Sequence, residues 1–127
     1  SVIFSDPQIA SVGLTEAQAR QQGFNTAISE LPLNHVPRAL AARQTDGLIK
    51  LVADKDTDRL LGAHILAVEA GEMIQTAAMA IKFGREADFT VTDLSRMLFP
   101  YLTQTEGLKL AAQVFEKDVA MLSCCAG

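Results

Sequence analysis

Gly47-Leu48-Ile49-Lys50-Leu51-Val52-Ala53 is followed by Asp54-Lys55-Asp56-Thr57-Asp58 and then by Arg59-Leu60-Leu61-Gly62-Ala63-His64-Ile65-Leu66. Two apolar runs flanking a short polar turn are the pattern of a β-hairpin. Each run holds one strongly charged residue, Lys50 and Arg59, so both faces of the pair are expected to be largely covered. Helices are the natural cover, and two follow in the chain.

The first is expected over Gly71–Phe83. Ile74, Ala77, Ala78 and Ile81 recur at helical spacing, Met73 and Ala80 widen the stripe, and Gly84 is the expected stop. Core packing explains this Ala- and Met-rich segment; burial on two sides, with part of it against a second subunit, is the sharper reading. Thr92-Asp93 opens a short helical turn ending near Pro100. Thr103-Gln104-Thr105-Glu106 has the hydroxyl-to-carboxylate spacing of a capping box. Leu108, Ala111, Ala112 and Phe115 then keep helical register, and Val119 and Leu122 continue it.

Upstream of the hairpin, Gln8–Gly13 reads as a strand and Thr15 caps a helix ended by Gly23. Asn25–Leu31 reads as another strand, and residues 34–38 as a connection. Strands first and helices after give an α+β fold, an antiparallel sheet packed against helices.

Of 127 residues, 49% are apolar and 20% charged, which describes one folded domain and excludes a disordered chain. No apolar run approaches the roughly 20 residues of a membrane span, and Ser1–Phe4 lacks a signal-peptide start. A net charge of −4 with scattered charges gives no nucleic-acid footprint. The expectation is a soluble, cytoplasmic domain with neither nucleic-acid nor membrane partners.

The two cysteines, Cys124 and Cys125, are adjacent. A bridge between them is disfavoured, because neighbouring Cα atoms lie about 3.8 Å apart, below the usual disulfide span of about 4.4–6.8 Å. Two reduced thiols suit soft-metal binding or thiol exchange; incidental exposed thiols are the alternative. Zinc would want four ligands, and His35 and His64 sit far upstream with no matching spacing. His64, on an apolar strand, reads as a satisfied core histidine and His35 as a solvated loop residue.

The run Asp6-Pro7-Gln8-Ile9-Ala10-Ser11-Val12-Gly13-Leu14-Thr15-Glu16 resembles the opening of the dimerisation domain of pyridine-nucleotide disulfide oxidoreductases. Residues 47–52, 61–66 and 70–74 resemble the same family. The resemblance implies a homodimer, with FAD and NADPH held by upstream domains of the same polypeptide. No G-x-G-x-x-G turn exists in this chain to bind either cofactor. Most members carry His-Pro-Thr-x-x-Glu where this chain has Tyr101-Leu102-Thr103-Gln104-Thr105-Glu106; their histidine, oriented by the glutamate, is the acid–base partner of the other subunit's redox thiols. A phenol, with a reference pKa near 10, does not shuttle protons at neutral pH as an imidazole does. Exchange with an organic disulfide needs such a group, whereas reduction of a metal ion does not.

Tyr101 together with the Cys124-Cys125-Ala126-Gly127 ending is similar to the mercury-reducing branch of the family. By that resemblance Hg(II) is the substrate, and Cys124 and Cys125 deliver it to the partner subunit's redox cysteines. Tyr101 would be an auxiliary catalytic residue beside the ion, or a half-buried tyrosine satisfying a neighbour. Glu106 is the family's glutamate by position, although helix capping alone explains it. Residues 1–122 would then form the interface domain and residues 123–127 a mobile metal-binding tail. The abrupt start at Ser1 suggests a piece of a longer enzyme, not catalytically competent alone. Two other readings stand: an interface domain acting on a small organic disulfide, and a stand-alone soft-metal-binding module.

Overall fold

The computed structural model describes residues 1–122. Its sheet has five antiparallel strands in the order β1-β2-β5-β4-β3: β1 Val2–Ile3, β2 Gln8–Gly13, β3 Thr26–Pro32, β4 Leu48–Asp54 and β5 Arg59–Ala67. The hairpin is its centre. β4 and β5 pair from Leu48↔Leu66 to Asp54↔Arg59, and each has another strand on its far side. The polar turn closes on itself: Asp54 accepts from the Asp56 amide and the Thr57 hydroxyl.

Alternation sends Ala10, Leu31, Ile49, Leu51, Ala63 and Ile65 to one face, where all are at most 2% exposed. Helices α3 (Ala70–Glu86) and α5 (Glu106–Gln113) cover that face. Helix α3 buries Met73, Ala77, Ala80 and Ile81 against β5 and β2. Helix α5 contributes Leu108, Leu110, Ala111 and Ala112, and the buried Ser29 hydroxyl of β3 donates to the Ala111 carbonyl. Across the sheet, α1 (Glu16–Gln21) follows a loop whose Leu14 carbonyl passes directly over Gly62. A Cβ at that glycine would stand 1.9 Å from the Leu14 oxygen. Thr15 caps α1 with a complete capping box.

The structure departs from the sequence reading in five places. The face of the hairpin away from α3 is only partly covered, leaving Leu66 39% exposed. Residues 34–38 are not a plain connection: a 3-10 turn (Leu33–His35) leads into α2 (Pro37–Ala42), which starts with proline and no side-chain cap. Gly84 does not stop α3, which runs to Glu86; the glycine lets the Phe89 carbonyl approach to 3.0 Å from where a Cβ would lie. Helix α4 spans Val91–Arg96 and is capped by Thr90 rather than opened by Thr92. Finally, α5 ends at Gln113. Phe115, Val119 and Leu122 do pack on the core, but through a turn and a 3-10 segment (Val119–Met121) capped by Asp118. No described helix is long and apolar enough to cross a membrane.

Candidate functional site: a clamped turn beside an apolar groove

Pro100–Glu106 forms a turn held by three hydrogen bonds. The Thr103 hydroxyl donates to the Pro100 carbonyl at 2.9 Å and accepts from the Glu106 amide at 3.2 Å. The Glu106 carboxylate accepts from the Leu102 amide, also at 3.2 Å. The expected capping box is therefore half present: the hydroxyl arm forms, while the carboxylate reaches past Thr103 to Leu102. Leu102 pays for this tight path with φ of +65°, a left-handed conformation that side-chain-bearing residues adopt at a cost of about 1 kcal/mol or more.

The clamp fixes the backbone on the residue next to Tyr101, whose side chain is 62% exposed. Glu106 thus supports the turn that presents Tyr101 through the Leu102 amide. Three residues further on, Gln104 points inward: it is 5% exposed, and its Oε1 has no hydrogen-bond partner. Leu102 was marked in the sequence only as standing where most of the family has proline, and Gln104 was not marked as a buried residue. A left-handed leucine has no local signature, and a glutamine between two threonines reads as surface.

Beside the turn lies a groove of about 500 Å³, formed by Thr76, Met79 and Phe83 of α3, Leu94 of α4, and Met97, Phe99 and Thr103. Its walls are almost wholly apolar. Met79, Phe83 and Met97 are 39–49% exposed, and Leu98 and Leu102 are exposed as well. Pro100, Thr103 and Thr105 line the groove, so the turn that carries the exposed tyrosine borders an uncovered hydrophobic trough, the kind of apolar surface that proteins use for association.

The histidines are as expected in chemistry but not wholly in place. His64 has Nδ1 3.1 Å from the Ser11 hydroxyl and Nε2 3.1 Å from the Leu14 carbonyl. Nε2 must carry a proton to bond a carbonyl, which leaves Nδ1 to accept from Ser11. Both nitrogens are satisfied, but the ring is half-buried on the open side of the sheet, not in the core. His35 is exposed. Among the described residues no cluster of three or more His, Cys, Asp or Glu could hold a metal ion. Cys124 and Cys125, the expected metal ligands, lie outside the described residues, as does the whole segment 123–127.

An antiparallel sheet backed by helices, with an uncovered apolar trough on the helix layer, has the surface of an association module. Residues 1–112 match the pyridine nucleotide-disulphide oxidoreductase dimerisation domain, and the chain belongs to that family. It is 59% identical over 127 residues to a mercuric reductase of Shewanella putrefaciens and 52% identical over 127 residues to one of Lysinibacillus sphaericus. In each case the alignment takes in 100% of this chain and 22% of the relative, so the chain spans about a fifth of the relatives' length. Among solved structures, the HOCl-induced flavoprotein disulfide reductase RclA from Escherichia coli superposes with a TM-score of 0.82 at 31% identity, covering 90% of this chain and 25% of that one. LpdA from Mycobacterium tuberculosis gives 0.78 at 25% identity, over 89% and 24%.

Proposed function

We propose that this chain is the interface domain of a cytoplasmic, homodimeric mercuric reductase, and that it brings Hg(II) to a reaction centre completed by the partner subunit. The observation that carries the reading is the exposed Tyr101, standing on a clamped turn at the rim of an apolar trough where most of the family has histidine. The relatives' names supply the metal.

In this reading Cys124 and Cys125 take Hg(II) as a two-coordinate thiolate complex, the geometry and softness that suit the ion. They pass it on by ligand exchange, each transfer making one Hg–S bond as another breaks, until the partner subunit's redox cysteines hold it. The Tyr101 phenol stands at the subunit boundary and steers the ion with a polar oxygen while the surrounding apolar wall excludes water. Glu106 and Thr103 keep that phenol in place. NADPH and FAD supply the reducing equivalents. The described residues do not fit either cofactor: every strand pair is antiparallel, so no strand–turn–helix–parallel-strand unit exists to cradle a pyrophosphate. Both belong to other domains of the polypeptide, and no step in this domain runs through them.

The test is Hg(II) turnover by the intact reductase carrying Cys124→Ala and Cys125→Ala, with a competing small thiol in excess. Delivery through the pair requires a loss of tenfold or more in kcat/KM, about 1.4 kcal/mol in the transition state. Unchanged turnover under thiol competition would sink the delivery role.

A further inference from the structure

The open face of the sheet bears a row of side chains that the rest of the domain leaves bare. Ile3 lies opposite Ile9, Ile9 opposite Leu66, Leu66 opposite Leu48, and Leu48 opposite Pro32. One apolar line therefore crosses all five strands. Its place away from α3 follows from alternation, since the strand neighbours Ala10, Ile65, Ile49 and Leu31 are buried on the helix side and Val2 packs against the same core. Ile3 is 58% exposed, Ile9 42% and Leu66 39%, and Ile9, Leu48 and Leu66 border a shallow apolar depression of about 260 Å³.

The next row along the strands is different. Ser11, His64, Lys50 and Glu30 are polar and satisfy one another: His64 bonds Ser11, and Lys50 bridges Glu16 at 2.9 Å and Glu30 at 3.0 Å. Beyond them the Leu14 loop and α1 cover the sheet. One end of this face is roofed by the domain itself, and the other presents a straight apolar strip bordered by neutralised charge.

We propose that the Ile3–Ile9–Leu66–Leu48–Pro32 strip is the seat of another domain of the same polypeptide, a contact distinct from dimerisation. The chain spans 22% of the length of its mercuric reductase relatives, so most of such a protein lies outside this domain. A second copy is a poor occupant. A closed two-fold dimer needs one self-complementary patch, for which the groove on the helix layer is available; a further copy on the strip would build a tetramer or an open chain, more than a dimer requires. The charges of the Ser11–Glu30 row are already paired, so the strip and that border suit a neutral apolar surface. This rests on the reading of the groove as the self-association face.

Hydroxyl-radical footprinting of the intact reductase measures the strip directly, with Leu40, exposed and outside both the strip and the groove lining, as reference. Ile9 and Leu66 are expected to oxidise roughly fourfold or more slowly than their uncovered exposures would give, both in the dimer and in monomers produced by Met79→Asp in the groove. The variant Ile9→Ser with Leu66→Ser, folded by circular dichroism, is expected to stay dimeric in sedimentation while its radius of gyration and its proteolytic cleavage between domains increase. Full oxidation of the strip in the wild-type dimer overturns the proposal. So does protection that vanishes in monomers, which would make the second copy the occupant, or dissociation of the strip variant. If Met79→Asp remains dimeric, the groove reading fails separately and the strip variant alone decides.

Discussion

Gln104 carries a cost that the rest of its turn does not explain. A carbonyl oxygen buried without a donor forfeits about 1–3 kcal/mol, because the water it loses is not replaced, and Gln104 Oε1 is in that state. Methionine has nearly the same length and volume and no polar atoms. Gln104→Met is therefore expected to raise stability by about 1 kcal/mol, read as a higher midpoint in urea with an unchanged m-value. A lower midpoint would show that the amide has a partner worth more than its burial costs. At this scale Tyr101 was found only by its position in a family pattern, whereas Glu106 was marked both by that pattern and by its capping-box spacing from Thr103. The bond from the Leu102 amide to Glu106 and the left-handed leucine were not legible. They depend on how the chain re-enters α5, and no residue type announces that.

Elements with their own local signals were read well. Strands β2, β4 and β5 alternate, Thr15 caps α1, and the Asp54–Asp58 turn contains its own hydrogen bonds. What escaped has a weak or misleading local signal: β1 is two residues long and exists by pairing with β2, α2 offers only the proline at its start and no side-chain cap, and the apolar spacing past Gln113 is satisfied by a turn rather than by helix. Lys50 shows how elements are joined by charge. It lies between Glu16 of α1 and Glu30 of β3, which raise its pKa, while Lys50 first and Arg20 second hold the Glu16 carboxyl below its ordinary value of 4.5. A carboxyl with a depressed native pKa stabilises the fold fully above its unfolded value, and that contribution disappears as pH falls through the lower native value. The stability difference between wild type and Glu16→Gln should thus be constant from pH 7 down to about 4.5 and shrink below it. Denaturation midpoints across pH 2–7 check this, and a difference that persists at the acid end would assign the effect to packing instead of charge.

For the whole molecule, the two-sided burial suggested by the Ala- and Met-rich sequence of α3 resolves into separate faces. Met73, Ala77 and Ile81 turn to the sheet, while Thr76, Met79 and Phe83 turn to the groove. If the groove is where two subunits meet, each Met79 lies in an apolar contact with no cation among the groove residues to receive a negative charge. An aspartate there brings an uncompensated carboxylate into the interface, at a cost of about 3 kcal/mol, or more than 100-fold in dimer affinity. Because Met79 is 49% exposed in the domain itself, the fold should tolerate the change. The intact Met79→Asp reductase is expected to sediment as a monomer at concentrations where the wild type is dimeric. Its Hg(II) turnover should fall with it, since Tyr101 and Cys124-Cys125 would have no opposing subunit to serve, and should recover in part as enzyme concentration rises. A monomer with full turnover would break the link between dimerisation and delivery, and place the receiving thiols in the same chain.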